Sequence, residues 1–104
     1  MAMTPPPQLS LTQSVQVFKM LGDEIRLRLL LLLAERGPLS VSTLCATVGQ
    51  TQTTVSHHLM LMRMASLVGF RRVGKNNLYY VASDHALELL RGIQPEPSES
   101  AAEA

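Results

Sequence analysis

Two short stretches of the chain carry side chains suited to reading and gripping a polyanion. In the first, Gln52, Thr53, Ser56 and His57 gather short or planar polar groups around the start of one element, flanked by Thr51 and Thr54. Gln pairs with an adenine edge, the Thr methyl fits the thymine methyl, and Ser or Thr hydroxyls bond to either base class or to phosphate. In the second, Arg71, Arg72 and Lys75 form a cationic run with Asn76 beside it and no acid nearby, which is the chemistry of phosphate neutralisation. Each stretch also has a plain structural reading. Polar residues commonly cover the first turns of a capped helix, and Arg and Lys guard edge strands against aggregation. Found together in one small chain, they favour a nucleic-acid surface. No nucleophile–base pair, carboxylate pair or glycine-rich phosphate loop accompanies them, so the enzyme classes have no residues to build on.

The charge distribution agrees. The chain of 104 residues has a formal charge of only +1. All nine Lys and Arg lie between Lys19 and Arg91, while Glu96, Glu99 and Glu103 crowd the end; without them nine bases face five acids, a balance of +4. A local basic patch matters more to a polyanion than total charge. The single cysteine, Cys45, excludes an intramolecular disulfide framework and fits a reducing, cytoplasmic setting. The longest apolar run, Leu29 to Ala34, is far short of the roughly 20 residues of a membrane span. No leader-like segment opens the chain, so a soluble cytoplasmic protein is expected.

The elements that must position these residues follow from periodicity and punctuation. Residues 1–8, with Pro5, Pro6 and Pro7, read as an extended or disordered lead-in, and residues 93–104 as a disordered acidic tail. Residues 9–92 between them form one domain. Leu11, Val15, Phe18 and Met20/Leu21 recur at helical spacing behind Ser10 or Thr12 as cap. Gly22 stops that helix, and Asp23 caps a second helix to about Arg36, apolar nearly all round and therefore central. Its Ile25, Leu29, Leu32 and Leu33 share one face. Ser40 caps a short helix over Val41 to Val48 with Leu44 and Val48 inward; Thr51 caps another from Gln52 to about Ser66, with Val55, Leu59, Met62 and Ala65 as its buried stripe. Val68–Val73 and Leu78–Ala82 then flank Gly74-Lys75-Asn76-Asn77 as a hairpin, and Asp84 caps a last helix to about Arg91. The predicted fold is mainly α with a two-stranded β-hairpin: a winged helix-turn-helix in the order α-α-α-α-β-β-α. In that arrangement the helix starting at Gln52 enters the major groove by its N-terminal turns.

Several separate stretches resemble the ArsR–SmtB repressors. "VFKMLGDEIRLRLLLLLAER" (Val17 to Arg36) resembles their opening, with its Leu-Gly-Asp-x-x-Arg-Leu pattern. "VSHHLMLMRMASLV" (Val55 to Val68) resembles their recognition helix, Val-Ser-x-His-Leu followed by Leu-Arg-x-Ala-Gly-Leu-Val, and "RRVGKNNLYYV" resembles their wing. The resemblance implies a prokaryotic repressor that occupies a double-stranded DNA operator as a homodimer. It implies dimerisation through the first and last helices, for which Leu11, Val15, Phe18, Leu87 and Leu90 are the candidates, and DNA affinity relieved by an effector.

Many relatives of that kind sense metals, yet the family's ligand positions are altered here. Ser40 and Ser42 of "LSVST" stand where one site has Cys-x-Cys, and serine hydroxyls are poor ligands for thiophilic metals. In the last helix Asp84-His85-Ala86 replaces Asp-x-His. Asp84 there reads as a cap and His85 as an exposed first-turn residue. Neither a metal nor another cofactor is expected. Cys45 reads as core, His58 as half-buried packing and His57 as base-facing. Met60, Leu61 and Met64 depart from the usual polar residues and share a face with His57; packing against the first helix or the wing is favoured over an exposed patch. Two competing readings are a sensor with a non-standard effector site, built from His85, His57 and methionines or from the Pro-rich N-terminus, and a winged protein-interaction module.

Overall fold

A computed structural model describes residues 9–93. The expectations for residues 1–8 and for the tail beyond Ile93 lie outside the described residues. The order is α1 (Leu11–Leu21), α2 (Glu24–Arg36), β1 (Leu39–Ser40), α3 (Val41–Val48), α4 (Gln52–Met64), β2 (Val68–Val73), β3 (Asn76–Val81) and α5 (Asp84–Arg91).

Local hydrogen bonds set most of these boundaries. Ser10 and Gln13 form a reciprocal capping box: the Gln13 amide donates to Ser10 Oγ at 3.1 Å, and the Ser10 amide to Gln13 Oε1 at 2.9 Å. Asp23, Ser40 and Thr51 each accept the backbone N–H three residues on, opening α2, α3 and α4. At α5 the expectation needs correcting. Ser83, not Asp84, is the cap, its Oγ accepting the Ala86 amide at 3.1 Å. Asp84 sits in the first turn instead, where the helix dipole favours a carboxylate. Both residue types cap well, and the helix starts one residue earlier than a cap at Asp84 requires. Gly49 closes α3 in the left-handed region (φ 70°, ψ 36°), and its amide and that of Gln50 both reach the Cys45 carbonyl. That is the tight turn between α3 and α4, where a Cβ would be strained.

The core lies where the helices meet the sheet. Leu29, Leu30 and Leu33 of α2, Leu44 of α3, and Val55, Leu59 and Met62 of α4 are buried with Val17, Leu67, Val68, Ala86 and Leu90. The α4 stripe is as its spacing requires, except that Ala65 is only half-buried. In α2, Leu30 takes the fully buried place expected of Leu32, while Ile25, Leu27, Leu31 and Leu32 pack around the same core, partly covered. A helix touched from α1, α3, α4, α5 and β3 has no outer side to leave polar. Cys45 is half-buried against this core.

The sheet differs from the expected hairpin in two ways. Leu39–Ser40 adds a short strand, pairing antiparallel with β3 (Leu39 with Tyr79, Ser40 with Leu78), so the order is β1-β3-β2. Two residues after Gly37-Pro38 carry no readable period; they become a strand because the α2–α3 link runs along the free edge of β3. The loop is also shorter. Val73 pairs with Asn76 and Arg72 with Asn77, leaving Gly74-Lys75 as a two-residue turn. Only Gly74 has positive φ (62°) there, the pattern of a type II′ turn that follows the twist of the strands.

Candidate nucleic-acid interface

The start of α4 is built by Thr51. Its Oγ1 accepts the Thr54 amide at 3.2 Å and donates to Thr54 Oγ1 at 3.0 Å, so these two hydroxyls shape the helix end rather than stand free. Gln52, Thr53, Ser56 and His57 all lie exposed on the first two turns. His57 and His58 hold their rings 5.8 Å apart, and the neighbours diverge as helix geometry requires. His58 is half-buried and belongs to the scaffold. Arg26 Nη1 donates to His58 Nδ1 at 3.3 Å, and Arg26 Nε donates to the Met20 carbonyl at 2.9 Å. One guanidinium thus joins the end of α1, the start of α2 and the middle of α4. The backbone N–H of Arg26 also bonds to Asp23 at 3.0 Å. That bond holds the Asp23 carboxyl below its usual value of 3.8; partial burial opposes it, and the Arg26 and His58 charges assist. Of this clasp, the Leu-Gly-Asp-x-x-Arg spacing signalled the Asp23 cap, but the role of the Arg26 side chain depends on α4 arriving beside it.

In the wing, Arg71, Arg72, Lys75 and Asn76 are exposed. Alternation along β2 sends Arg71 and Arg72 to opposite faces of the sheet. Arg72 Nε donates to the Gly74 carbonyl at 3.2 Å, which folds its guanidinium back toward the turn. At the base of the wing, Arg63 from the last turn of α4 lies 4.7 Å over the Phe70 ring, which itself sits 5.4 Å from Tyr79. These contacts fix the wing against α4.

The tertiary structure brings part of the two polar stretches together: Thr51 and Gln52 meet Lys75 and Asn76 around one cleft, whereas Thr53, Thr54, Ser56, His57, Arg71 and Arg72 lie outside its lining. The start of α3, the α3–α4 turn, the start of α4 and the wing tip surround an open cleft of about 770 Å³, lined among others by Ser42, Cys45, Gln50, Gln52, Lys75 and Asn76. Between Glu35 and Asp84 the chain has no acidic residue at all. Everything that borders the cleft is therefore neutral or cationic, a surface that a row of phosphates meets without repulsion.

A second surface is apolar. Leu11, Val15 and Phe18 stand 82%, 42% and 59% exposed on α1, whose inward residue is Val17. Beside them, α5 does not present both residues expected of it. Leu87 is half-buried, but Leu90 is only 4% exposed and belongs to the protomer's own core with Ala86. Ala86 and Leu90 are one turn apart, so turning that face inward leaves Leu89 outward. Between α1 and α5 lies a pocket of about 250 Å³ lined by Phe18, Leu89, His85 and Glu88 among others. His85 is half-buried there, not exposed as its first-turn position implied.

At the positions compared with metal ligands, Ser40 Oγ accepts the Thr43 amide at 3.3 Å and lies 3.2 Å from Ser42 Oγ. Ala86 is fully buried. Among the described residues no three His, Cys, Asp or Glu side chains converge as a metal site would. Packing does not hide the methionine face. Met60 and Met64 are 51% and 77% exposed, against the expectation that they pack on α1 or the wing; only Leu61 is partly covered.

Comparison with known proteins places these features. The family model described as bacterial regulatory protein, arsR family, matches residues 23–68. The chain is 39% identical over 98 residues to a transcriptional repressor SmtB homolog of Synechocystis sp., covering 91% of this chain and 74% of that protein. It is 42% identical over 77 residues to the arsenical resistance operon repressor of Escherichia coli, covering 74% of this chain and 65% of the other. Among solved structures, the homodimeric winged helix-turn-helix DNA-binding domain of a possible ArsR-family transcriptional regulator from Mycobacterium bovis superposes with a TM-score of 0.72. It is 29% identical over 89% of this chain and 81% of its own.

Proposed function

The chain belongs to the ArsR family of winged helix-turn-helix transcriptional regulators, and on that premise we propose that it is a dimeric, sequence-specific repressor. The observation that carries the proposal is the acid-free cleft shared by the start of α4 and the wing tip. In this reading Gln52, Thr53, Ser56 and His57 meet base edges in the major groove, while Thr51 and Thr54 hold the helix end that presents them. Arg71, Arg72, Lys75 and Asn76 neutralise or bond to flanking phosphates. Residues 9–92 act as one DNA-binding domain. A second copy covers Leu11, Val15 and Phe18 with help from Leu87 and Leu89, since three large apolar side chains exposed on one helix are what a symmetric interface buries.

The protein acts by occupying DNA in the cytoplasm and catalyses no reaction. Among the described residues no helix is long and apolar enough to cross a membrane. Metal control at the family positions has no chemical basis here. Ser40 uses its hydroxyl on the α3 cap, and Ala86 has only a methyl group, turned into the core. A titration of the protein with Zn(II), Ni(II) and Cu(I) tests this part: binding that releases DNA through any of these positions would overturn it.

The DNA reading is tested by electrophoretic mobility shift with the protein's own upstream region and with random duplex of equal length. Preferential retention of the upstream fragment, declining steeply with salt, is the expected result. Equal retention of both at all salt concentrations would reduce the protein to a non-specific binder. No retention of either would favour the protein-interaction module.

A further inference from the structure

The outermost line of the recognition helix is not wholly polar. Val55, Leu59 and Met62 of α4 are completely buried. At about 100° per residue, Thr53, His57, Met60 and Met64 fall within one sector of about 60° on the opposite side. All four are exposed, Met60 by 51%. The stripe therefore starts on the residues assigned to base edges and continues, one turn later, into a long apolar side chain. α4 contains no acid and a single cation, Arg63, which is occupied over Phe70. Nothing on this face repels a phosphate-lined groove, and little on its second half attracts one.

Resting on the DNA reading above, we propose that Met60 is a specificity-determining residue that contacts a thymine C5-methyl in the major groove. One observation and two general properties of the groups converge on this occupant. Met60 is exposed on the same side of α4 as Thr53, Ser56 and His57, the residues assigned above to base edges. The thymine methyl is the apolar group on a major-groove edge, so it is what a thioether side chain gains from meeting there. An unbranched, polarizable methionine adapts to a methyl whose position shifts with groove geometry. The seven residues from Thr53 to Met60 advance about 10 Å along the helix, about three base steps of 3.4 Å. The methyl contact falls within that distance of the bases met by Thr53. Met64 lies a further turn out and serves as the internal comparison.

The test uses the full chain and a binding sequence selected from a random duplex library. Each thymine of the selected site is then replaced singly by uracil, which removes the methyl and nothing else. Binding is measured for the wild type, Met60→Ala, Met60→Leu and Met64→Ala. One thymine per half-site is expected at which uracil weakens wild-type binding about three- to fivefold, the effect of one buried methyl group. The Met60→Ala protein is indifferent to that exchange, whereas Met60→Leu and Met64→Ala remain sensitive. An equal uracil penalty in wild type and Met60→Ala, or no sensitive thymine within about three base pairs of the Thr53 contact, overturns the proposal. Selection of no sequence at all fails earlier and removes the DNA reading, and the proposal with it. Because Met60 is exposed, its replacement leaves the core intact; should the Ala variant unfold, Met60→Gln against Met60→Leu makes the same distinction.

Discussion

Replacing Ser66 with glycine is expected to stabilise the protein without touching its DNA affinity. Ser66 follows the end of α4 and is the one non-glycine residue with positive φ (63°) among those described. An L-residue in the left-handed region carries a steric cost of about 1–2 kcal/mol from its Cβ. Glycine removes that cost but loses about 0.5–1 kcal/mol to its greater freedom in the unfolded chain. The difference is a gain of about 0.5–1 kcal/mol. The Ser66 side chain is exposed, so deleting it forfeits no core packing. For a domain of 60–100 residues such a gain raises Tm by about 2–8 °C. Urea and thermal unfolding at one fixed protein concentration measure it, because the apparent stability of the proposed dimer depends on concentration. The denaturant slope should stay constant while the midpoint rises. Ser66→Ala should not gain, and Ser66→Val should lose, since a β-branched side chain tolerates this region worst. If glycine, serine and valine proved equally stable, the backbone strain argued here would be absent. If glycine were destabilising with an unchanged slope, the serine hydroxyl would be holding the α4–β2 reversal instead.

Three further outcomes follow from the same geometry. The double variant Arg72→Ala/Lys75→Ala removes two exposed cations per protomer; with each lost phosphate contact worth about 0.9 in the slope of log K against log salt, the dimer's slope should fall by up to about 3.6, while base preference stays the same. Anisotropy titrations across a salt series measure both, and a changed preference would contradict the division between wing and recognition helix. Phe18→Ala takes away the largest exposed apolar side chain of α1; at about 1.5–3 kcal/mol per buried Phe, counted twice by symmetry, the dimer constant should weaken by about 10²–10⁴. Sedimentation equilibrium reads this directly, and an unshifted dimer would exclude α1 from the interface. Asp23 contributes stability in its charged form, because its folded pKa lies below the usual 3.8. The contribution is complete above that value and disappears as pH falls through the lower folded pKa. The stability advantage of the wild type over Asp23→Asn should therefore shrink in urea titrations below pH 3.8, and an advantage that grew on acidification would reverse the sign of the argument.

How much of this could be read from the chain alone depends on the range of the interaction involved. The caps at Asp23, Ser40 and Thr51 were legible, and Ser10 was one of two candidates with Thr12, because a cap and its amide lie three residues apart. The inward stripe of Val55, Leu59 and Met62 was legible because a helix repeats its own period. So were the winged order and the exposure of Gln52, Thr53, Ser56 and His57 at the start of α4, which need only element type and sequence position. Several features settled by a distant neighbour were misread or missed. Leu39–Ser40 became a strand only because the β3 edge passes beside it. Ser83, not Asp84, took the cap of α5. Leu90 was drawn into the core by the packing of α5, leaving Leu89 outside. The same holds for the interface. The sequence by itself determined which residues had the chemistry to read bases and to neutralise phosphates. Only the tertiary structure decided that Thr51 and Gln52 share one acid-free cleft with Lys75 and Asn76, because the closeness of the α4 start and the wing tip comes from α2 and the sheet packing on both. No local pattern of residues encodes that distance.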